Sequence, residues 1–249
     1  MSGGRVIILG ATSAVAEALA RLYAADGGAL MLVGRRADRL EALARDLKAR
    51  GAAAAETAAA DLAQAEQAEA QLAAWSAGVP VEAIYLFYGV LPDQARAEAD
   101  LDYAAQSLAV NFTSAALWCL AAATLLEAQG RGVLVATGSV AGDRGRQSNY
   151  VYGAAKAGLG ALVQGIAHRF VLRGSGARAV LIKPGFIDTP MTDHLPKGGP
   201  LWAKPETVAR RIRIAAGGKA PIVYAPAFWR PIMLVIRLIP ASLFHKRPL

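Results

Sequence analysis

Short apolar runs alternate with longer helical stretches along almost the whole chain, and that alternation leaves few folds open. Arg5–Leu9, Ala29–Val33, Val81–Phe87, Gly132–Thr137, Ala177–Ile182 and the brief Pro221–Tyr224 read as buried strands. An Ala-rich stretch ending before Asp61-Leu62 reads as a weaker third strand. Ala14–Ala25, a segment to about Arg50, another to about Ala77, then Asp100–Ala128, Tyr150–Leu172 and Pro205–Ala216 read as helices. Strands separated by helices of this length pair in parallel, through crossovers, in a sheet covered on both faces. The expected fold is therefore α/β. It is a single Rossmann-type, doubly wound parallel sheet of about seven strands with helices on both faces. Ligands of such sheets sit outside the carboxyl ends of the strands. At 249 residues and 55% hydrophobic content the chain can bury one large core. No linker or repeat divides residues 1–227, and residues 228–249 form an apolar, basic tail.

Several classes are set aside by composition. No unbroken uncharged apolar run reaches the length of a spanning helix. The N-terminus passes straight into the strand pattern Val6-Ile7-Ile8-Leu9, so no signal peptide is expected. The single cysteine, Cys119, lies in an apolar helical stretch and is expected to be a buried thiol. His168, His194 and His245 are scattered, and no metal site is expected. The net charge of +8 is concentrated at one end: after Glu206 there is no acidic residue and there are eight basic ones. The other 19 cations are balanced by the 19 acids. A basic end interleaved with apolar residues points to a membrane surface rather than to nucleic acid.

The chemistry is concentrated in Tyr152-Gly153-Ala154-Ala155-Lys156, with Ser139 upstream at the end of the Gly132–Thr137 strand. Residues four apart share a helix face. A Lys ammonium there is expected to stabilise the phenolate and pull the Tyr pKa down from about 10. Ser139 can reach the same volume and hydrogen-bond a carbonyl oxygen. Near the N-terminus, Gly10-Ala11-Thr12-Ser13-Ala14-Val15-Ala16 leaves the first strand and opens the first helix. Small residues there admit a pyrophosphate, and the helix start offers unpaired N–H groups to it. Thr12 and Ser13 also suit simple N-caps.

Together these motifs resemble the short-chain dehydrogenase/reductase family over nearly the whole chain. Two of the three glycines of the family's usual turn are alanine here, at Ala14 and Ala16. The resemblance implies an NAD(P)-dependent oxidoreductase in which Ser139 binds the carbonyl, Tyr152 is the proton donor and Lys156 tunes it and binds the nicotinamide ribose. Asn111 would hold an ordered water behind Lys156. Asp61 and Leu62 match the adenine-contacting pair. Pro184, Gly185, Ile187 and Thr189 fall in the segment that holds the carboxamide. The family's Asn-Asn-Ala-Gly is Leu86-Phe87-Tyr88-Gly89 here, so Gly89 alone is kept, and Phe87 and Tyr88 either face substrate or fill core. No acidic residue follows the second strand near Gly34, and Arg35 and Arg36 stand there instead. This favours a ribose 2′-phosphate, hence NADPH over NADH.

The segment 228–240 is predicted to be a helix with Pro231 in its first turn and Pro240 at its end. It is too short and too charged to span a bilayer. It can lie in an interface, with Trp229 at headgroup level and Lys246 and Arg247 near anionic lipid, or it can pack on the core or on another subunit. The tail and the Gly89–Gln94 loop resemble a bacterial subgroup, the decaprenylphosphoryl-β-D-erythro-pentofuranosid-2-ulose 2-reductases. That resemblance implies a keto group on a polyprenyl-phosphate-linked sugar as substrate and a flavin oxidase partner that supplies it. It also implies a role in cell-envelope polysaccharide biosynthesis, at the inner face of the cytoplasmic membrane. The family implies a homo-dimer or tetramer. Two alternatives remain at this point. One is a soluble reductase of small ketones, 3-oxoacyl thioesters or steroids. The other is a non-enzymatic NADPH-binding protein at a membrane. The segment Thr192–Ala203 is expected to form part of a short substrate lid.

Overall fold

The computed structural model describes residues 4–246. In chain order its elements are β1 (Arg5–Leu9), α1 (Ala14–Ala25), β2 (Ala29–Gly34), α2 (Ala37–Ala49), β3 (Ala54–Ala59), α3 (Ala68–Ser76) and β4 (Val81–Leu86). There follow α4 (Gln94–Ala99), α5 (Leu101–Leu108), a π-helical turn at Ala109–Ser114, α6 (Ala115–Gln129), β5 (Val133–Thr137) and α7 (Tyr150–Leu172). The chain continues through β6 (Arg178–Pro184), β7 (Phe186–Ile187), β8 (Trp202–Ala203), α8 (Pro205–Gly217), β9 (Ile222–Ala225), α9 (Trp229–Leu238) and α10 (Ala241–Phe244).

Seven of these strands form one parallel sheet in the order β3-β2-β1-β4-β5-β6-β9, as expected for a doubly wound fold. The order reverses between β1 and β4, which opens a crevice at the strand tips. Strand β1 shows why its sequence is apolar at every position. Val6 and Ile8 enter the core on one face, Ile7 and Leu9 the core on the other. Burying both faces requires a continuous hydrophobic run rather than alternation. Each such side chain contributes roughly 1.5–3 kcal/mol of burial.

The helical stretch expected over 100–128 is interrupted by the π-turn that contains Asn111. Asn111 Nδ2 donates to the Ser107 carbonyl, 3.0 Å away, and to the Val90 carbonyl at 2.9 Å, tying the turn to the loop after β4. The whole stretch Leu101–Gln129 is long and apolar enough, by length and composition, to cross a membrane. Gln106, Ser107 and Asn111 interrupt it, so it holds no unbroken apolar run of spanning length. Its Trp118, Cys119, Ala122 and Leu126 are fully buried against the sheet. Burial pushes the Cys119 thiol up to about 12, so it is an inert core thiol.

The tail helix α9 is docked on the chain's own core. Trp229 and Met233 are buried with Val140, and Phe186, Tyr224, Ile232 and Ile236 pack around them. Arg144 fixes the end of the helix. Its guanidinium donates to the Ile236 and Ile239 carbonyls at 2.5 and 2.6 Å and lies 3.7 Å over the Phe244 ring. The opposite face of the tail leaves Leu234, Val235, Leu238 and Leu243 more than half exposed. Trp229 therefore faces inward rather than toward headgroups, and Arg247 lies outside the described residues.

Candidate active site

Three elements bring the expected chemical groups together. Ser139 follows β5 and caps the short turn Val140–Gly142, its Oγ accepting from the Ala141 N–H at 3.0 Å. The first two turns of α7 carry Tyr152 and Lys156 on one face. Ser139 hydrogen-bonds the Tyr152 hydroxyl. All three line one cleft of about 630 Å³ at the strand tips. Lys156 is 5% exposed and donates to the Thr137 carbonyl at 3.0 Å. An ammonium has three N–H donors, so two remain for a ligand beside Tyr152.

The expected lowering of the Tyr152 pKa is not what the cleft produces. Burial pushes the phenol up to about 12, against the downward pull of the Ser139 hydrogen bond. Lys156 Nζ lies 5.7 Å from the centre of the Tyr152 ring and donates to the Thr137 carbonyl. Burial also pushes Lys156 down to about 8. The two groups thus start from a neutral phenol and a weakened cation.

Asn111 lines the cleft, and its side-chain amide is committed to protein. Its Oδ1 accepts from the Val90 N–H at 3.0 Å while Nδ2 serves the Val90 and Ser107 carbonyls. It positions the Gly89-Val90 strap beside Lys156. Gly89 is needed there: a Cβ at this position would sit 2.7 Å from Asn111 Oδ1 and 3.6 Å from Lys156 Nζ.

The nucleotide half of the cleft is formed by the β1–α1 turn. Gly10 turns the chain with φ +84°, and Ser13 caps α1 by accepting from the Ala16 N–H at 3.3 Å. Thr12, Ser13, Ala14 and Val15 line the cleft, so the unpaired N–H groups at the start of α1 face it. On the far wall Pro184, Gly185, Ile187 and Thr189 line it as expected, as do Phe87, Tyr88 and Gly89. Phe87 is also core, stacked on Tyr85 at 5.8 Å. The free donors of α1, the uncommitted N–H groups of Lys156 and the small-residue walls fit a dinucleotide.

Five expected cofactor residues lie outside the cleft lining: Gly10, which shapes the β1–α1 turn from beneath, and Arg35, Arg36, Asp61 and Leu62. Arg35 and Arg36 are exposed at the β2 tip, with no ion-pair partner among the described residues. Asp61 is exposed and holds its own turn through the Ala63 N–H. The Leu62 side chain is core, and its carbonyl accepts from Trp118 Nε1 at 3.0 Å, so its side chain does not reach a cofactor. Other cleft residues escape sequence reasoning. Arg39 lines the nucleotide end, bonded to the Thr12 carbonyl and, at 2.9 Å, to Glu17. Trp229, Met233 and Ile236 carry the tail into the cleft wall. Arg146 stands in the loop between Ser139 and Tyr152, a position that could have drawn attention to it. Thr192 and Leu195 of the expected lid also line the cleft, as does the preceding Met191, and β8 closes that segment by pairing with β7, Trp202 stacking on Phe186 at 5.3 Å.

A doubly wound sheet with a Ser–Tyr–Lys set beside a helix N-terminus defines a class of nucleotide-dependent oxidoreductase. The family model described as short chain dehydrogenase matches residues 5–198. An uncharacterized oxidoreductase of Mycobacterium tuberculosis is 36% identical over 244 residues, covering 98% of this chain and 96% of its own. The cis-4-hydroxycyclohexanecarboxylate dehydrogenase of Sinomonas cyclohexanicum is 28% identical over 230 residues, covering 87% and 90%. A short chain dehydrogenase from Burkholderia cenocepacia, solved in complex with NADP, superposes with TM-score 0.81 over 98% of this chain and 97% of its own. At 18% identity that likeness shows the fold alone. The chain belongs to the short-chain dehydrogenase family and is an NAD(P)-dependent oxidoreductase.

Proposed function

We propose that the chain is an NADPH-dependent carbonyl reductase, and that its substrate is a keto group on a bulky, lipid-linked molecule such as a polyprenyl-phosphate sugar. The observation that carries the reductase reading is the convergence of Ser139, Tyr152 and Lys156 in one cleft with the N-terminus of α1. When bound, the nicotinamide cofactor supplies the hydride that the carbonyl carbon accepts. Ser139 Oγ hydrogen-bonds the carbonyl oxygen and orients it toward Tyr152. Tyr152 holds a proton on its hydroxyl and passes it to that oxygen as negative charge grows there. Lys156 places positive charge behind the phenol and binds neighbouring hydroxyls with its two uncommitted N–H groups. Trp229, Met233 and Ile236 exclude water from one wall and offer apolar surface to a large substrate. The Sinomonas relative, by its name, acts on a secondary alcohol borne by a ring, the same functional-group interconversion.

The preference for NADPH rests on Arg35 and Arg36, exposed cations at the β2 tip with no acidic neighbour near Gly34. The lipid-linked substrate rests on the apolar wall and on the exposed outer face of the tail. Assay of NADPH oxidation with extracted polyprenyl-phosphate keto-sugar against a panel of soluble ketones tests the substrate. Tyr152→Phe tests the chemistry: turnover falls to background while NADPH affinity, read by fluorescence titration, stays nearly intact. Near-wild-type turnover in that variant would overturn the scheme.

A further inference from the structure

We infer that Arg146 is an anion anchor in the substrate half of the cleft, so that the carbonyl substrate carries a carboxylate or phosphate. This deepens the reductase reading and rests on it for the identity of the site. The loop that bears Arg146, residues 143–149, runs from the Ser139 turn to the start of α7. Its base is fixed on the β6–β9 side of the sheet. There Asp143 is paired with Lys183 and accepts from the Tyr224 hydroxyl at 2.7 Å. Arg144 is spent on the tail carbonyls. That side is the opposite edge from β2, where a ribose 2′-phosphate belongs, so Arg146 faces substrate rather than the cofactor's phosphates.

Arg146 is half-buried, lines the cleft with Ser139 and Tyr152, and has no ion pair or side-chain hydrogen bond among the described residues. A partly dehydrated guanidinium without a counter-charge is disfavoured, and burial alone pulls its pKa below the ordinary value. Nothing acidic in the cleft can compensate it. Glu17 is the one carboxylate in the cleft wall among the described residues, and it is held by Arg39 and Arg21 at the nucleotide end. Asp143 is engaged as above. A guanidinium presents planar, paired donors that match the oxygens of a carboxylate or phosphate. The same cleft has apolar lining from Met191, Leu195 and the tail residues. The fitting ligand is amphiphilic: an anion on one side of its carbonyl and apolar bulk on the other.

The experiment pairs ketones that differ only in charge: 4-oxocyclohexanecarboxylate against its methyl ester, and dihydroxyacetone phosphate against dihydroxyacetone. The full chain is expected to favour the anion of at least one pair by roughly 10- to 100-fold in kcat/KM. The favoured pair tells carboxylate from phosphate. Arg146→Met brings that ratio toward one through KM of the anion, and Arg146→Lys restores part of it. Equal rates for both members of both pairs, or an equal loss on charged and neutral ketones in Arg146→Met, overturns the anchor. A second readout needs no turnover: quenching of tryptophan fluorescence by cyclohexanecarboxylate or inorganic phosphate with NADPH present. Arg146-dependent binding there without reduction of any ketone sinks the reductase reading and keeps the anchor. Reduction without charge preference does the reverse.

Discussion

Trp229 leaves no room for a side chain at position 185: a Cβ built on Gly185 would lie 1.9 Å from the indole nitrogen. The tail helix is therefore keyed into the strand end that forms the cleft wall, and Trp229 Nε1 is buried there without a hydrogen-bond partner among the described residues. Gly185→Ala should push α9 outward and unpack Trp229 and Met233. Loss of buried aromatic and thioether packing costs about 2–4 kcal/mol. Urea unfolding should show it, with a red-shifted tryptophan emission. An unshifted spectrum with full stability would mean that the tail is not held at this point.

Lys156 makes a prediction whose sign depends on pH. Its pKa falls from an ordinary 10.5 to about 8 in the fold. Between these values the unfolded chain binds more protons, so stability rises with pH. Below pH 8 the burial penalty is fully present. Lys156→Met removes turnover and should also raise stability at pH 7, by at most about 3 kcal/mol, less what the lost Thr137 hydrogen bond contributed. The gain should shrink as pH approaches 10.5. Denaturation curves at pH 7 and 9.5 check it, and a pH-independent difference would contradict the assignment.

The catalytic set could be read before the fold because it obeys local rules. Tyr152 and Lys156 share a helix face by spacing, and Ser139 ends a strand whose neighbours are fixed by the parallel pattern. Most of the sheet is legible for the same reason, its central strands being predominantly apolar, whereas the edge strand β3 is Ala-rich and largely exposed. What sequence spacing does not encode is side-chain direction across the fold. Arg35 and Arg39 are equivalent on paper, yet Arg39 alone reaches the cleft wall, because α2 carries it back over Thr12. The Tyr152 pKa escapes spacing for a similar reason, because burial in the cleft raises it and Lys156 donates to the Thr137 carbonyl. The π-turn at Asn111 depends on a strap, Gly89-Val90, that only tertiary structure brings near.

Asn111 holds that strap with two hydrogen bonds to Val90, of 3.0 and 2.9 Å. Asn111→Leu leaves the Val90 N–H and C=O without partners beside the cleft. Each orphaned buried backbone group costs about 1–3 kcal/mol. Expected results are a stability loss of that order and weaker NADPH binding, measured by calorimetric titration. Unchanged affinity would show that the strap does not shape the nucleotide site.

The 2′-phosphate prediction separates the three arginines near β2. Arg35 and Arg36 have no ion-pair partner among the described residues, whereas Arg39 is paired with Glu17. Arg35→Ala with Arg36→Ala should raise KM for NADPH by roughly tenfold or more, since charge-assisted hydrogen bonds are worth about 1.5–3 kcal/mol, and should leave KM for NADH nearly unchanged. Equal effects on both cofactors would remove the argument for NADPH.

The outer face of the tail sets Leu234, Val235, Leu238 and Leu243 beside the exposed cations Arg230, Arg237 and Lys246. Two copies packed through this face would bring like charges together, which disfavours self-association and favours an anionic partner. An apolar helix face flanked by cations matches an anionic lipid surface, where leucines enter the interface and arginines stay with headgroups. We propose that this face rests on such a membrane. Sedimentation with phosphatidylglycerol vesicles should carry the protein down at low salt, and phosphatidylcholine vesicles should carry much less. Val235→Glu with Leu238→Glu should abolish sedimentation, because both positions point to solvent and the change adds charge without touching Trp229 or Met233. Two results would defeat the proposal. One is indifference of the wild-type chain to both vesicle types. The other is a drop in oligomer size for the double variant with vesicle binding unaltered, which would assign the face to another subunit.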